Sequence, residues 1–146
     1  MQSVQQVVHD WPSDTMAVVG SSLGGFYATC LAESKGCRAV VLNPAVHPAR
    51  DLQSFVGELT AFHDPNQRFL FHAGYLDELK AMEPGALANP GHYLAVIAKG
   101  DELLDWREMA SRYQAAQVHV VEGSDHGLSD FEQHLPLIVR FLGLAP

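Results

Sequence analysis

Five residues, Gly20-Ser21-Ser22-Leu23-Gly24, carry the first sign of chemistry in this chain. They follow the apolar run Met16-Ala17-Val18-Val19 and precede a segment with helical spacing, so the pattern G-x-S-x-G sits where a strand turns into a helix. In such a turn the central serine, Ser22, takes a strained backbone, and Gly20 and Gly24 are expected to be glycine because a Cβ would strike the neighbouring strand or helix. The Ser22 hydroxyl would project above the sheet. The backbone N–H of Leu23, at the N-terminus of the new helix, would point toward an oxyanion developing on an attacked carbonyl. The same letters also suit a plain strand-to-helix turn or a phosphate-binding loop. A phosphate loop's lysine is missing, however, since the first Lys after the turn is Lys35.

A serine hydroxyl becomes a nucleophile when a base takes its proton and a carboxylate orients that base. His126 lies in Glu122-Gly123-Ser124-Asp125-His126-Gly127, just past the apolar run 118–121, and Asp101 follows the run 93–98 through Lys99-Gly100. All three residues therefore fall after expected strands, at the carboxyl edge where parallel sheets gather their sites. Asp101 could instead cap the next helix, and Asp105 is a rival acid one helical turn later. Asp125 adjoins His126, and consecutive side chains seldom face one another, so it is expected to act on the imidazole electrostatically rather than to orient it. His9, His119 and His134 lie within regular elements and are expected on exposed faces.

Other chemistries find less support. There is no H-E-x-x-H, no cysteine pair at zinc spacing and no Asp-rich calcium loop, so neither a metal nor a cofactor is expected. Nine Lys and Arg against 17 Asp and Glu give a net charge of -8, which argues against nucleic acid and acidic membrane surfaces as partners. Two cysteines, Cys30 and Cys37, cannot build a disulfide framework and read as reduced thiols of a cytoplasmic protein. The start lacks the basic and apolar regions of a signal peptide. Residues 15–32 carry no charge and contain Gly20-x-x-x-Gly24, yet their Ser, Thr and Gly content fits a strand, turn and helix better than a membrane span.

The elements that must position these residues follow from apolar spacing. A helix is predicted over 2–11, with Val4, Val7, Val8 and Trp11 on one face and Pro12-Ser13-Asp14 ending it. Strands are predicted over 15–19, 38–42, 93–98 and 118–121, and helices over 24–34, 105–114 and 131–142. Residues 45–91 hold four of the eight prolines and read as an insertion or cap. Their cluster Phe62-His63-Asp64 with Phe69-Leu70-Phe71-His72 suits cap packing, with the lining of an acyl pocket as the alternative. Strand-helix alternation across 146 residues predicts a single α/β domain over 1–146 with a mostly parallel sheet.

With these residues in place the sequence resembles the YqiA-type esterases, small bacterial α/β-hydrolases. The matching stretches are residues 18–29 (Val18 to Thr29), Val41-Leu42-Asn43-Pro44-Ala45-Val46, Gly100-Asp101-Glu102-Leu103-Leu104-Asp105 and Val121-Glu122-Gly123-Ser124-Asp125-His126. The resemblance implies an α/β-hydrolase-like sheet with helices on both faces, Ser22 as nucleophile, His126 as base, Asp101 as its partner, and a small-molecule carboxylic ester or acyl thioester as substrate. Members of that family begin with a strand ending in His-Gly-Phe, whose loop supplies a second oxyanion donor, and then a further strand. Only 14 residues precede the strand expected at Thr15. The expectation is thus an N-terminally truncated fold of about four strands, either a fragment or an internal start.

Loss of one oxyanion donor costs on the order of a hundred- to a thousandfold in rate. The first strand would then be an unpaired apolar edge open to self-association, and the chain less soluble and less active than a longer relative. Two other readings remain: a non-catalytic or weakly active fragment or binding module lacking half of the oxyanion hole, and an acyl-transferring or peptidase member of the same fold. Asp101, Glu102, Asp105, Glu122 and Asp125 crowd the loops of acid and base and are expected to disfavour anionic substrates.

Overall fold

The computed structural model describes residues 1–61 and 64–144. In chain order the elements are α1 (Gln2–Val7), β1 (Ala17–Ser21), α2 (Leu23–Lys35), β2 (Arg38–Leu42), α3 (Pro48–Asp51), β3 (Gly57–Ala61), β4 (Asp64–Phe71), α4 (Ala73–Met82), β5 (Tyr93–Ala98), α5 (Trp106–Arg112), β6 (Gln117–Val121) and α6 (Phe131–Leu142). They form two compact units, one of residues 1–46 with 84–146 and the other of residues 47–83.

The first unit is built on four parallel strands in the order β1-β2-β5-β6. The run Tyr93-Leu94-Ala95-Val96-Ile97-Ala98 is buried throughout, as a continuous apolar strand requires when both faces of its sheet are covered. Alternation along β2 and β5 divides their side chains between two cores. Ala39, Val41, Tyr93, Ala95 and Ile97 pack with Ala28 and Leu31 of α2 and with Met109 of α5. Val40, Leu42, Leu94, Val96 and Ala98 pack on the opposite face with Leu128 and with Ile138 of α6. Each fully buried Val or Leu contributes roughly 1.5–3 kcal/mol relative to exposure, so these strands anchor the unit. Because all four run the same way, the segments after Ser21, Leu42, Ala98 and Val121 emerge at one edge.

Several boundaries depart from the sequence expectation. Strand β1 runs two residues later than predicted, because Gly20 and Ser21 continue the ladder opposite Val41 and Leu42. It ends the sheet, with Val19 49% exposed. The predicted helix over 2–11 stops at Val7, and the chain tightens into turns in which the Trp11 N–H donates to the Val8 carbonyl. Its apolar face is not a core face: only Val8 is buried, while Val4, Val7 and Trp11 are exposed. The helix predicted over 105–114 spans Trp106–Arg112: at its start the Asp105 carboxylate caps it from outside, accepting from the Arg107 N–H, and at its end Tyr113 is the capping residue. Among the described residues no helix is long and apolar enough to cross a membrane.

The second unit holds regular structure that periodicity did not reveal. β3 and β4 form an antiparallel pair, with Glu58 opposite Leu70 and a register shift between Thr60 and Ala61. The Phe71 and Tyr75 rings lie 5.5 Å apart, and His47 Nδ1 meets Glu83 Oε1 at 2.7 Å. A cleft in this unit is lined by His47, Arg50, Gln53, Leu76, Lys80 and Glu83. None of these belongs to the aromatic and histidine cluster expected as cap packing, of which Phe69 and Leu70 are exposed and Phe62 and His63 lie outside the described residues.

Candidate active site

Ser22 sits between the last residue of β1 and the first of α2, with φ 55° and ψ -125°. A left-handed φ costs a non-glycine residue on the order of 1–3 kcal/mol and persists only where the surroundings enforce it. Here they do. The Ser22 N–H donates to the Leu42 carbonyl at 2.9 Å, and the Ser22 carbonyl accepts from the N–H groups of Gly25 (2.9 Å), Ala45 (3.0 Å) and Phe26 (3.3 Å).

The glycine requirement is distributed differently from the expectation. A Cβ on Gly20 would lie 2.1 Å from the Gly24 carbonyl oxygen, so the helix start packs directly on the strand end. A Cβ on Gly24 would meet nothing within 4 Å, whereas one on Gly25 would lie 2.8 Å from Pro44 Cβ. The steric constraint therefore falls on Gly20 and Gly25, because Gly25 is the residue of the first turn that faces the loop after β2. Substitution Gly20→Ala is expected to lower stability by about 3 kcal/mol or more, since rigid backbone occupies the Cβ site. Urea unfolding checks this, and Gly24→Ala serves as the tolerated control.

The imidazole of His126 bridges the other two predicted residues. Its Nε2 lies 2.8 Å from Ser22 Oγ, and its Nδ1 lies 2.8 Å from Asp101 Oδ2. The Asp101 side chain is 0% exposed and that of His126 17%, so the pair is shielded from water while the imidazole keeps an open side. Asp101 is fixed at its second oxygen too, since Oδ1 accepts from the N–H groups of Leu103 and Leu104, each at 2.8 Å. An imidazole protonated on Nδ1 would donate to Asp101 and accept the Ser22 hydroxyl proton at Nε2.

The rivals are occupied elsewhere. Asp105 caps α5. Asp125 Oδ1 accepts from the Ser129 N–H at 2.9 Å, and this bond holds its carboxyl below the usual carboxylate range, so Asp125 braces its own turn. Of the acidic residues expected to crowd the loops, Glu122 pairs with Lys99 and Asp105 lies 3.5 Å from Arg107. Glu102 instead accepts the His126 backbone N–H at 3.0 Å.

His134 is not on an exposed face: it is buried together with Ile138 on one side of α6, lies 5.3 Å from the His119 ring and reaches Asp130 Oδ2 at 3.2 Å. Asn43, which the sequence marks only as the stop of a strand beside Pro44 and as part of the family-like stretch 41–46, is 0% exposed just after β2, and its amide bonds to the segments that carry both Asp101 and His126. An Asn before Pro at the close of a wholly apolar strand was the available signal, because a buried amide needs several partners.

No thiol competes as nucleophile. Burial pushes Cys30 up to about 11 and raises Cys37 as well, so neither is a thiolate at neutral pH. Among the described residues no three His, Cys, Asp or Glu side chains are gathered as a metal site.

Comparison with known proteins places this architecture. The chain superimposes on a monoacylglycerol lipase of Paleococcus ferrophilus with a TM-score of 0.64 at 13% identity, covering 99% of this chain and 74% of that one. For Est1E of Butyrivibrio proteoclasticus, solved with ferulic acid bound, the TM-score is 0.66 at 15% identity, covering 97% and 62%. For the mouse alpha/beta hydrolase domain-containing protein 10 it is 0.63 at 17% identity, covering 95% and 65%. The fold is that of the α/β-hydrolases, and the chain spans about two thirds of the length of such structures. The profile of the uncharacterised protein family UPF0227 matches residues 1–143. In keeping with the resemblance of its sequence to YqiA-type esterases, the chain belongs to the family UPF0227.

Proposed function

We propose that this chain is a serine esterase that cleaves small-molecule carboxylic esters or acyl thioesters through an acyl-enzyme. The observation that carries this reading is the single imidazole of His126 placed 2.8 Å from both Ser22 Oγ and Asp101 Oδ2. Ser22 Oγ attacks the carbonyl carbon while His126 Nε2 takes its proton, and the oxyanion of the tetrahedral intermediate is held by the Leu23 N–H at the start of α2. His126 then returns the proton to the departing alcohol or thiol, leaving Ser22 acylated. Water attacks the acyl-serine with His126 again as base, releasing the acid and restoring the hydroxyl. Throughout, Asp101 stays ionised, holds the imidazole tautomer and stabilises the imidazolium.

A common acyl-enzyme makes product partitioning independent of the leaving group. Hydrolysis of the phenyl and p-nitrophenyl esters of one acid in the presence of methanol is expected to give the same ratio of methyl ester to free acid. A ratio that changes with the leaving group would contradict the covalent intermediate.

A further inference from the structure

We infer that Asn43 is a positioning residue for this chemistry, holding the acid, the base and the nucleophile to one another through the end of β2; the inference rests on the serine-esterase reading above. Its amide makes bonds in two directions. Nδ2 donates to the Asp125 carbonyl at 2.9 Å and to the His126 carbonyl at 3.0 Å, while Oδ1 accepts from the Ala98 N–H at 2.7 Å. The Asn43 backbone N–H donates to the Val96 carbonyl at 2.9 Å. Ala98 is the last residue of β5, and Asp101 follows three residues later with its own N–H donating back to the Ala98 carbonyl.

The same segment also reaches Ser22. Leu42 accepts the Ser22 N–H, and the Ala45 N–H donates to the Ser22 carbonyl. Residues 42–45 thus touch the backbone around all three groups, and Asn43 is the only one of them whose side chain bonds to the acid and base segments. His126 is clamped at both ends, since Asn43 holds its carbonyl and Glu102 its N–H. Rotation of the peptide planes that aim the imidazole therefore requires breaking Asn43 bonds.

Few side chains could substitute. The position needs two donors and one acceptor on a short planar group, and its φ of 39° lies in the left-handed region that Asn and Gly tolerate. An ionised Asp has no donors. Displacing a reacting group by about 1 Å costs on the order of a hundredfold in rate, and that is the effect assigned to loss of the Asn43 donors.

Two variants separate positioning from folding. Asn43→Gly keeps the backbone conformation and removes the amide; Asn43→Asp keeps the shape and the acceptor for Ala98 but, even when protonated, offers a single donor to the two carbonyls that the amide serves together. Three quantities are read on protein shown to be folded by cooperative thermal unfolding: the downfield proton resonance of the His126 Nδ1–H bonded to Asp101, the second-order rate of Ser22 modification by a fluorophosphonate, and kcat and KM for p-nitrophenyl acetate. Both variants are expected to lose the resonance, to react on the order of a hundredfold more slowly, and to lower kcat with KM little changed. Should Asn43→Gly fail to fold, Asn43→Asp decides. Retention of the resonance and of the wild-type labelling rate in a folded variant would overturn the inference, as would absence of the resonance from the wild type. A wild type that shows the resonance but resists the fluorophosphonate would count against the esterase reading alone, and the resonance comparison would still decide the role of Asn43.

Discussion

Replacing Ser22 by Ala is expected to lower kcat for p-nitrophenyl acetate by about 10⁵- to 10⁶-fold, the loss seen when a hydrolase loses its nucleophile. The substitution removes one oxygen whose partner in the site is His126 Nε2. Neither cysteine can take over, because burial holds the thiols of Cys30 and Cys37 in the protonated form. The left-handed φ of 55° is imposed by four backbone hydrogen bonds that the variant retains, so the turn itself should survive. Stability is therefore expected to stay within about 1 kcal/mol of wild type, the net worth of a single hydrogen bond. Steady-state kinetics together with a urea titration check both halves of this expectation.

Asp101→Asn is expected to cost about 10⁴-fold in kcat, with KM nearly unchanged. An amide at this position still accepts the N–H groups of Leu103 and Leu104 through Oδ1, so the loop keeps its turn. What changes is the atom facing His126 Nδ1, 2.8 Å away. An NH2 group there donates instead of accepting, which forces the imidazole proton onto Nε2. In that tautomer Nε2 has no lone pair for the Ser22 proton, and the buried carboxylate that would stabilise the imidazolium is gone. Asp105→Asn and Asp125→Asn are expected to keep near wild-type turnover, because those carboxylates serve the Arg107 and Ser129 N–H groups. Comparable losses in all three variants would show that Asp101 has no special partnership with His126.

The core of the candidate site was legible because its determinants are local. An apolar run, a Gly-flanked serine and a helical repeat placed Ser22 at a strand end, and loops after two further apolar runs brought Asp101 and His126 to the same edge. The buried strands β2 and β5 were read with their observed bounds, since a wholly apolar run of five or six residues has few other ways to hide its side chains.

What escaped detection depends on partners distant in sequence. Asn43 reads as a strand terminator beside Pro44, and its role rests on bonds to residues 82 and 83 positions away. Gly24 and Gly25 are interchangeable as letters; only the approach of Pro44 shows which of them must lack a Cβ. His134 looks like one polar residue on an amphipathic helix, yet its position four residues before Ile138 puts it on the buried side of α6. The β3–β4 pair has no period of two to announce it, because Phe69-Leu70-Phe71 is continuous and Pro65 and Asn66 interrupt the pattern.

Mapping the site of a fluorophosphonate adduct by peptide mass spectrometry on the folded chain tests the central claim most directly. One adduct per chain is expected, on the peptide containing Ser22, and none in Ser22→Ala. An adduct on another residue, labelling that persists in Ser22→Ala, or a folded wild-type chain that takes up no probe would contradict the assignment of Ser22 as a His126-activated nucleophile.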